Sequence, residues 1–235
     1  METATTDYQL TCSRVDVILN CQLTPPLARL VEVMLCGWQL TKAANANQED
    51  QFDIKTNQAD KYQVYAPAID FDKTHSDLVD AFNELLICIA YLACKKAPNM
   101  RLIHGGAMVR DGRIEILLGG HKAGKSSYLA RYCNQQDALI SDDLLLIDEE
   151  HQLFGLGFPL RLRRPIADDI LAKVGAKQML AGHALVYLGP KAFAMYPAGK
   201  ALEPDRLYLL ENYQSQRMMR YKWRSMIEQR LIPVA

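Results

Sequence analysis

Gly119, Gly124, Lys125 and Ser126 stand at the spacing G-x-x-x-x-G-K-[ST]. Each residue type has its own use against a polyphosphate. Glycine opens backbone angles closed to other residues, so that successive amide N–H groups can turn toward one oxyanion. A helix starting near Lys125 would aim its positive end at the same charge. Lys125 would meet the β and γ phosphates, and Ser126 would offer a hydroxyl to magnesium. The run Gly119, Gly120, His121, Lys122, Ala123, Gly124, Lys125, Ser126 and Ser127 is therefore read as a nucleotide-binding loop, with ATP and Mg2+ as the cofactors.

Asp142 and Asp143 follow inside the apolar stretch "LISDDLLLID". Unpaired buried charge is costly, so two adjacent carboxylates there need compensation. Magnesium supplies it: beside nucleotide phosphates it takes one or two carboxylates. A second carboxylate close by can accept the proton of an attacking hydroxyl. Repulsion between the two would raise its proton affinity. The plain alternative is a strand end whose aspartates face water.

The elements that must position these residues follow from the surrounding pattern. Residues 8 to 60 read as short strands, with "KAANANQEDQ" (42 to 51) the most loop-like segment. Leu78, Phe82, Leu85, Leu86, Ile89 and Leu92 recur at helical spacing, predicting a helix from about Ser76 to Lys95, capped by Thr74 or Ser76. Two apolar runs flank Asp111-Gly112, a hairpin signal, and the second run feeds the glycine loop. A helix from Lys125 to Cys133 follows, then a buried strand broken by the two aspartates. "ADDILAKVG" reads as a helix stopped by Gly175; "HALVYLG", "AFAMYP" and "RLYLLE" read as strands. "YQSQRMMRYKWRSMIEQRL" reads as a closing helix carrying Arg217, Arg220, Lys222, Arg224 and Arg230.

The 235 residues suit one large domain or a domain with an appendage. Lys+Arg and Asp+Glu both total 27, which argues against a nucleic-acid surface. The six cysteines form no C-x-x-C pair, so no zinc or redox motif is expected. The N-terminus lacks the pattern of a secretory signal, and "LLICIAYLAC" is too short for a membrane span. A cytoplasmic chain is the expectation.

The ordered set His104-Gly105, Gly119 to Ser126 and Asp142-Asp143, with "QLFGLGF" after it, resembles the catalytic domain of bacterial HPr kinase/phosphorylase and related kinases. The likeness covers roughly residues 101 to 165. It implies an α/β phosphate-loop fold: a mixed β-sheet with flanking helices at 101–235, and a small N-terminal β-rich region with one helix at 1–100. It implies ATP-dependent transfer to a serine-type hydroxyl of a protein, peptide or small molecule. Asp143 would be the base, Asp142 a magnesium contact beside Ser126, and His104 would lie near the phosphate path. The family forms oligomers, which implies a homo-oligomer.

Departures from the family pattern are specific. Gln152 stands where the family has a magnesium-binding glutamate, for which Glu149 or Glu150 would have to substitute. "YPAGKAL" corresponds only loosely to a late Pro-Gly-Arg segment, with Lys200 in place of arginine. Arg161 and Arg163 alternate on a strand, where they would meet phosphate or an acidic acceptor, or form a solvated edge. An NTPase without an acceptor and a nucleotide-binding regulatory module remain as alternatives to the kinase.

Overall fold

The structure, a computed structural model, describes all residues except 1–3, 44–51, 60, 98, 135, 176–178, 212–213, 219–222 and 234–235; for 214–218 and 224 it describes the backbone alone. It is mixed α/β, with three sheets and five α-helices among the described residues. No described helix is long and apolar enough to cross a membrane.

The first sheet is built from β1 (Thr6–Cys12), β2 (Val17–Leu23), β3 (Gln39–Lys42), β4 (Ile54–Gln58), β5 (Tyr62–Ala66) and β6 (Phe71–His75), in the order β3-β1-β2-β4-β5-β6. Burial alternates along β1 and β2, as a strand with one covered face requires. Between β2 and β3 runs α1 (Pro25–Met34), so residues 1–100 hold two helices rather than the expected one. Pro25-Pro26 looks like a strand breaker, but proline suits the first helical turn, where its missing N–H has no partner to lose. With six strands this region is also not small.

The second helix, α2 (Leu78–Lys96), packs across that sheet through Phe82, Leu85, Ile89 and Leu92, all fully buried. Its cap is Asp77, whose Oδ1 accepts from the N–H groups of Val79 at 2.8 Å and Asp80 at 3.1 Å. Thr74 instead lies within β6. The same apolar cluster reaches Leu102, Leu144, Leu146, Phe158 and Tyr187, so the N-terminal region shares a core with the rest.

Next come β7 (Met100–Arg110) and β8 (Arg113–Gly119), an antiparallel hairpin closed by Asp111 and Gly112. Both turn residues have positive φ, 52° and 70°, which the twist of a two-residue hairpin demands. α3 (Lys125–Tyr132) leaves the glycine loop, and β9 (Ala138–Ser141) and β10 (Leu144–Asp148) return along β7. The chain continues through β11 (Leu153–Gly155), β12 (Leu160–Arg163), α4 (Asp168–Val174), β13 (Met179–Ala181), β14 (Leu185–Leu188), β15 (Ala194–Met195) and β16 (Ala201–Leu202). It closes with β17 (Arg206–Glu211), β18 (Gln214–Met218), α5 (Trp223–Glu228) and β19 (Leu231–Ile232).

The large sheet runs β16-β11-β10-β7-β8-β17-β18, and β12-β14-β13 form a small one. Strand β8 lies between antiparallel β7 and parallel β17, so the strand feeding the loop is central. Its fully buried Glu115 is met by Arg110 at 3.0 Å and Arg206 at 2.9 Å, one from each neighbouring strand. Among the described residues the expected closing helix is divided: its second part, α5, is helical as expected, and its first part is β18, which pairs along β17. Ladder pairing with a neighbour outweighs local helix preference there. Arg220 and Lys222 lie outside the described residues.

Gly157 (φ +64°) sits where an added Cβ would lie 2.0 Å from the Cys36 carbonyl oxygen, whereas Gly112 (φ +70°) has nothing within 4 Å. Gly112→Ala should cost about 1 kcal/mol for its backbone angle alone. Gly157→Ala should cost about 3 kcal/mol or more, because steric conflict adds to it. Urea unfolding of both variants checks the difference.

Candidate functional site

The loop between β8 and α3 is shaped by close approach on one side and openness on the other. A Cβ at Gly119 would sit 2.6 Å from the Leu210 carbonyl oxygen, while one at Gly120 would meet nothing within 4 Å. Lys122 (φ 62°) and Gly124 (φ 98°) take left-handed angles, and Gly124 caps α3. Lys125 is 5% exposed, and its Nζ donates to the carbonyl oxygens of Gly119 at 3.0 Å and Gly120 at 3.1 Å. Burial lowers its proton affinity, and the charges of Asp143 and Asp142 oppose that. Its ammonium thus folds back over its own loop, on acceptors weaker than a phosphate oxygen.

Asp142 and Asp143 fall where β7 changes partner. Leu144 pairs with His104 and Ser141 with Ala107, so the two aspartates lie opposite Gly105 and Gly106. The register shifts at Ala107/Met108, an irregularity of the kind that re-aims side chains beside functional sites. A Cβ at Gly106 would meet Leu129 Cδ1 at 2.9 Å and Asp142 Oδ1 at 3.6 Å, so glycine there lets α3 and the acids close on β7.

The two carboxylates have different surroundings. Asp142 is 3% exposed. Its Oδ1 accepts from Ser126 Oγ at 3.0 Å and its Oδ2 from the Arg161 N–H at 2.9 Å. Burial first, and then the charge of Asp143, push its pKa up to about 6. Asp143 is half-buried, at φ 69°. Its Oδ2 lies 2.5 Å from Arg161 Nη2 and its Oδ1 3.4 Å from His104 Nε2. Burial lowers the His104 pKa, against the pull of Asp143, and so favours the neutral imidazole.

Arg161 is itself held. Its Nη1 donates to Asn83 Oδ1 at 2.8 Å, and Tyr187 Oη donates to the same oxygen at 2.9 Å. Neither Asn83 nor Tyr187 stands out as a candidate in the sequence. The available signal was one polar residue inside the buried stripe of α2, where Asn83 is 7% exposed.

A cleft of about 390 Å3 joins these groups. His104, His121, Lys122, Ala123, Gly124, Lys125, Ser126 and Ser127 form one side, with Asp143 and Arg161 at its base. Arg163 also lines the cleft and is exposed, so Arg161 and Arg163 divide into one half-buried group paired with Asp143 and one exposed charge. Asp142 stands behind Asp143, outside the cleft lining.

Neither the family models nor the curated proteins compared with the chain match it.

The substitute carboxylates are not at the site. Glu149 and Glu150 are exposed in the turn beyond β10, the length of that strand, roughly 17 Å, from the acid pair. Gln152 ties β11 to β16 by donating to the Leu202 carbonyl. Lys200 lies 4.6 Å from the Tyr196 ring and outside the cleft lining. Among the described residues no three His, Cys, Asp or Glu side chains gather as a metal cage. A magnesium ion would have Ser126 and Asp142 as its protein ligands, with oxygens of phosphate and water completing the set.

The raised pKa of Asp142 sets the sign of a pH effect. Its folded-state carboxyl keeps its proton above the usual 3.8, up to about 6, so stability falls as pH rises through that window. Asp142→Asn should therefore stabilise the ligand-free chain at pH 7.5 by about 1–3 kcal/mol. The gain should vanish as the pH is lowered from about 6 to below 3.8. Melting temperatures across this range test it.

Proposed function

We propose that the chain is an ATP-dependent kinase of the HPr kinase-like type, moving the γ-phosphoryl group to a serine-type hydroxyl. The observation that carries this reading is the pairing of Ser126 Oγ with Asp142 Oδ1 at 3.0 Å, with Asp143 next to it facing the cleft. A phosphate loop alone would serve many nucleotide proteins. A loop hydroxyl joined to one buried carboxylate, with a second carboxylate turned to the open side, divides metal holding from proton acceptance.

The residues fit the cofactors. Lys125 would exchange the carbonyls of Gly119 and Gly120 for β and γ phosphate oxygens. The backbone N–H groups of the loop would cradle the phosphates, and Ser126 and Asp142 would hold the metal. Magnesium, when bound, balances charge on the phosphates. Ionisation of Asp142, resisted by its burial, would become favourable beside a cation.

Asp143 would take the proton of the acceptor hydroxyl. Arg161 holds its Oδ2, and His104 stands 3.4 Å from its Oδ1. The acceptor oxygen bonds to the γ phosphorus as the bond to the β–γ bridging oxygen breaks, and ADP leaves. Lys125 would offset charge on the leaving oxygen. Besides an NTPase, the competing reading of a nucleotide-binding module without turnover draws on Gln152, since no third carboxylate reaches the pair among the described residues.

Label transfer separates them. With γ-labelled ATP and cell extract, a kinase labels an acceptor, whereas an NTPase releases phosphate alone. Asp143→Asn should cut transfer by about 100-fold or more while ATP binding persists. Lys125→Ala should weaken ATP binding itself, and transfer with it, by about 100-fold. A labelled acceptor that survives Asp143→Asn unchanged would overturn the assignment of the base.

A further inference from the structure

The C-terminal strand meets β7 at the foot of the glycine loop. In β19, Leu231 pairs with Ile103 and Ile232 with Leu102. One step further Arg230 stands opposite His104, whose N–H donates to the Arg230 carbonyl at 3.2 Å. Successive backbone groups of a strand point to opposite edges, and the Gly105 N–H meets Asp143 on the other edge of β7. Arg230 therefore occupies the edge that β7 shares with β8. The register there, Gly105 with Leu118, would put Gly119 opposite His104. Arg230 takes that place, and the Gly119 carbonyl accepts from Lys125 Nζ instead, at 3.0 Å.

The Arg230 side chain is left with an unmet need. Its Nε is buried yet meets no hydrogen-bond acceptor among the described residues. Such a group calls for a reason, because nearly all buried donors are paired. Residues directly opposite on antiparallel strands show their side chains on one face. His104 lines the cleft, so Arg230 projects on the cleft's side of the sheet without lining the cleft itself. The two cations also feel each other: burial lowers the proton affinity of Lys125 most, and the charge of Arg230 lowers it further.

Resting on the kinase reading, we infer that Arg230 is a positioning residue: its Nε–H takes over the Gly119 carbonyl when Lys125 leaves it for the phosphates. The handover matches a donor without an acceptor to an acceptor about to lose its donor. Gly119 is buried, so water does not replace Lys125 on its carbonyl, whereas exposed Gly120 can turn to solvent. Without Arg230, moving Lys125 onto phosphate would strand a buried carbonyl and lose part of the gain. Repulsion between the cations acts in the same direction, since it favours a lysine that has met an anion. Arg230 touches neither nucleotide nor acceptor, and no covalent bond changes.

The test reads the Arg230 Nε–H directly, by proton–nitrogen NMR of the full chain carrying isotope-labelled arginine. Loss of one signal in Arg230→Lys assigns it. A non-hydrolysable ATP analogue with Mg2+ should move the proton resonance downfield and slow its exchange with water about tenfold, the weight of one hydrogen bond. Lys125→Ala should do the same with no nucleotide present, because it too leaves the Gly119 carbonyl without its donor. Lys125→Met serves if the alanine variant does not fold. Arg230→Met should keep or raise the melting temperature of the ligand-free chain, since it removes a buried donor that has no acceptor. The same variant should weaken the analogue about tenfold. A merely structural arginine would lower that melting temperature instead, and this result overturns the proposal. An analogue-induced shift that neither Lys125 variant reproduces overturns it too, by putting Arg230 on the phosphate itself. A shift in the Lys125 variants, beside an unaltered chain that binds no nucleotide, keeps the Arg230–Gly119 pairing and sinks the kinase reading.

Discussion

A carboxylate with almost no access to water organises this molecule. Asp142 is buried at the junction of β9 and β10, where an unpaired charge would be prohibitive. Two hydrogen bonds answer it, one from the loop hydroxyl of Ser126 and one from the backbone of Arg161. Those bonds join three parts of the chain that are remote in sequence: the start of α3, the β9–β10 junction and β12. The cost of burying the acid is thereby turned into a fixed distance between the glycine loop and the wall of the cleft.

Around that point, the two neighbouring cations have unlike partners. Lys125 rests on loop carbonyls, and Arg161 is shared between Asp143 and Asn83. In the proposed kinase, Lys125 would need little rearrangement to meet a polyphosphate and would give up only modest hydrogen bonds to its loop carbonyls. The neutral imidazole favoured at His104 adds no further positive charge to the acid it faces.

The glycine loop and the aspartate pair were legible in the sequence because both are short-range patterns whose chemistry lies in spacing. The hairpin at Asp111-Gly112 was legible for the same reason: positive φ at two adjacent residues leaves few alternatives. Helix α1 was hidden by Pro25-Pro26, since one residue type marks both helix starts and strand breaks. The C-terminal stretch misled in the other direction. Its apolar residues fit a helical stripe, which holds over Trp223–Glu228, but over Gln214–Met218 pairing of β18 with β17 decides the backbone, and that partner lies outside any local window. The support of Arg161 by Asn83 and Tyr187 was invisible for a topological reason: the three residues come from α2, β12 and β14, and only the folded chain brings them together.

The shared apolar cluster bears on how the chain holds together. Leu102, Leu144, Leu146, Phe158 and Tyr187 are covered by the same helix that carries Asn83. Severing the polypeptide ahead of β7 would wet five large side chains and remove one of the two anchors of Arg161. The six-stranded sheet is therefore not a detachable ornament. Melting of either half would drag the other with it, and the acid pair would lose its alignment in the same cooperative event.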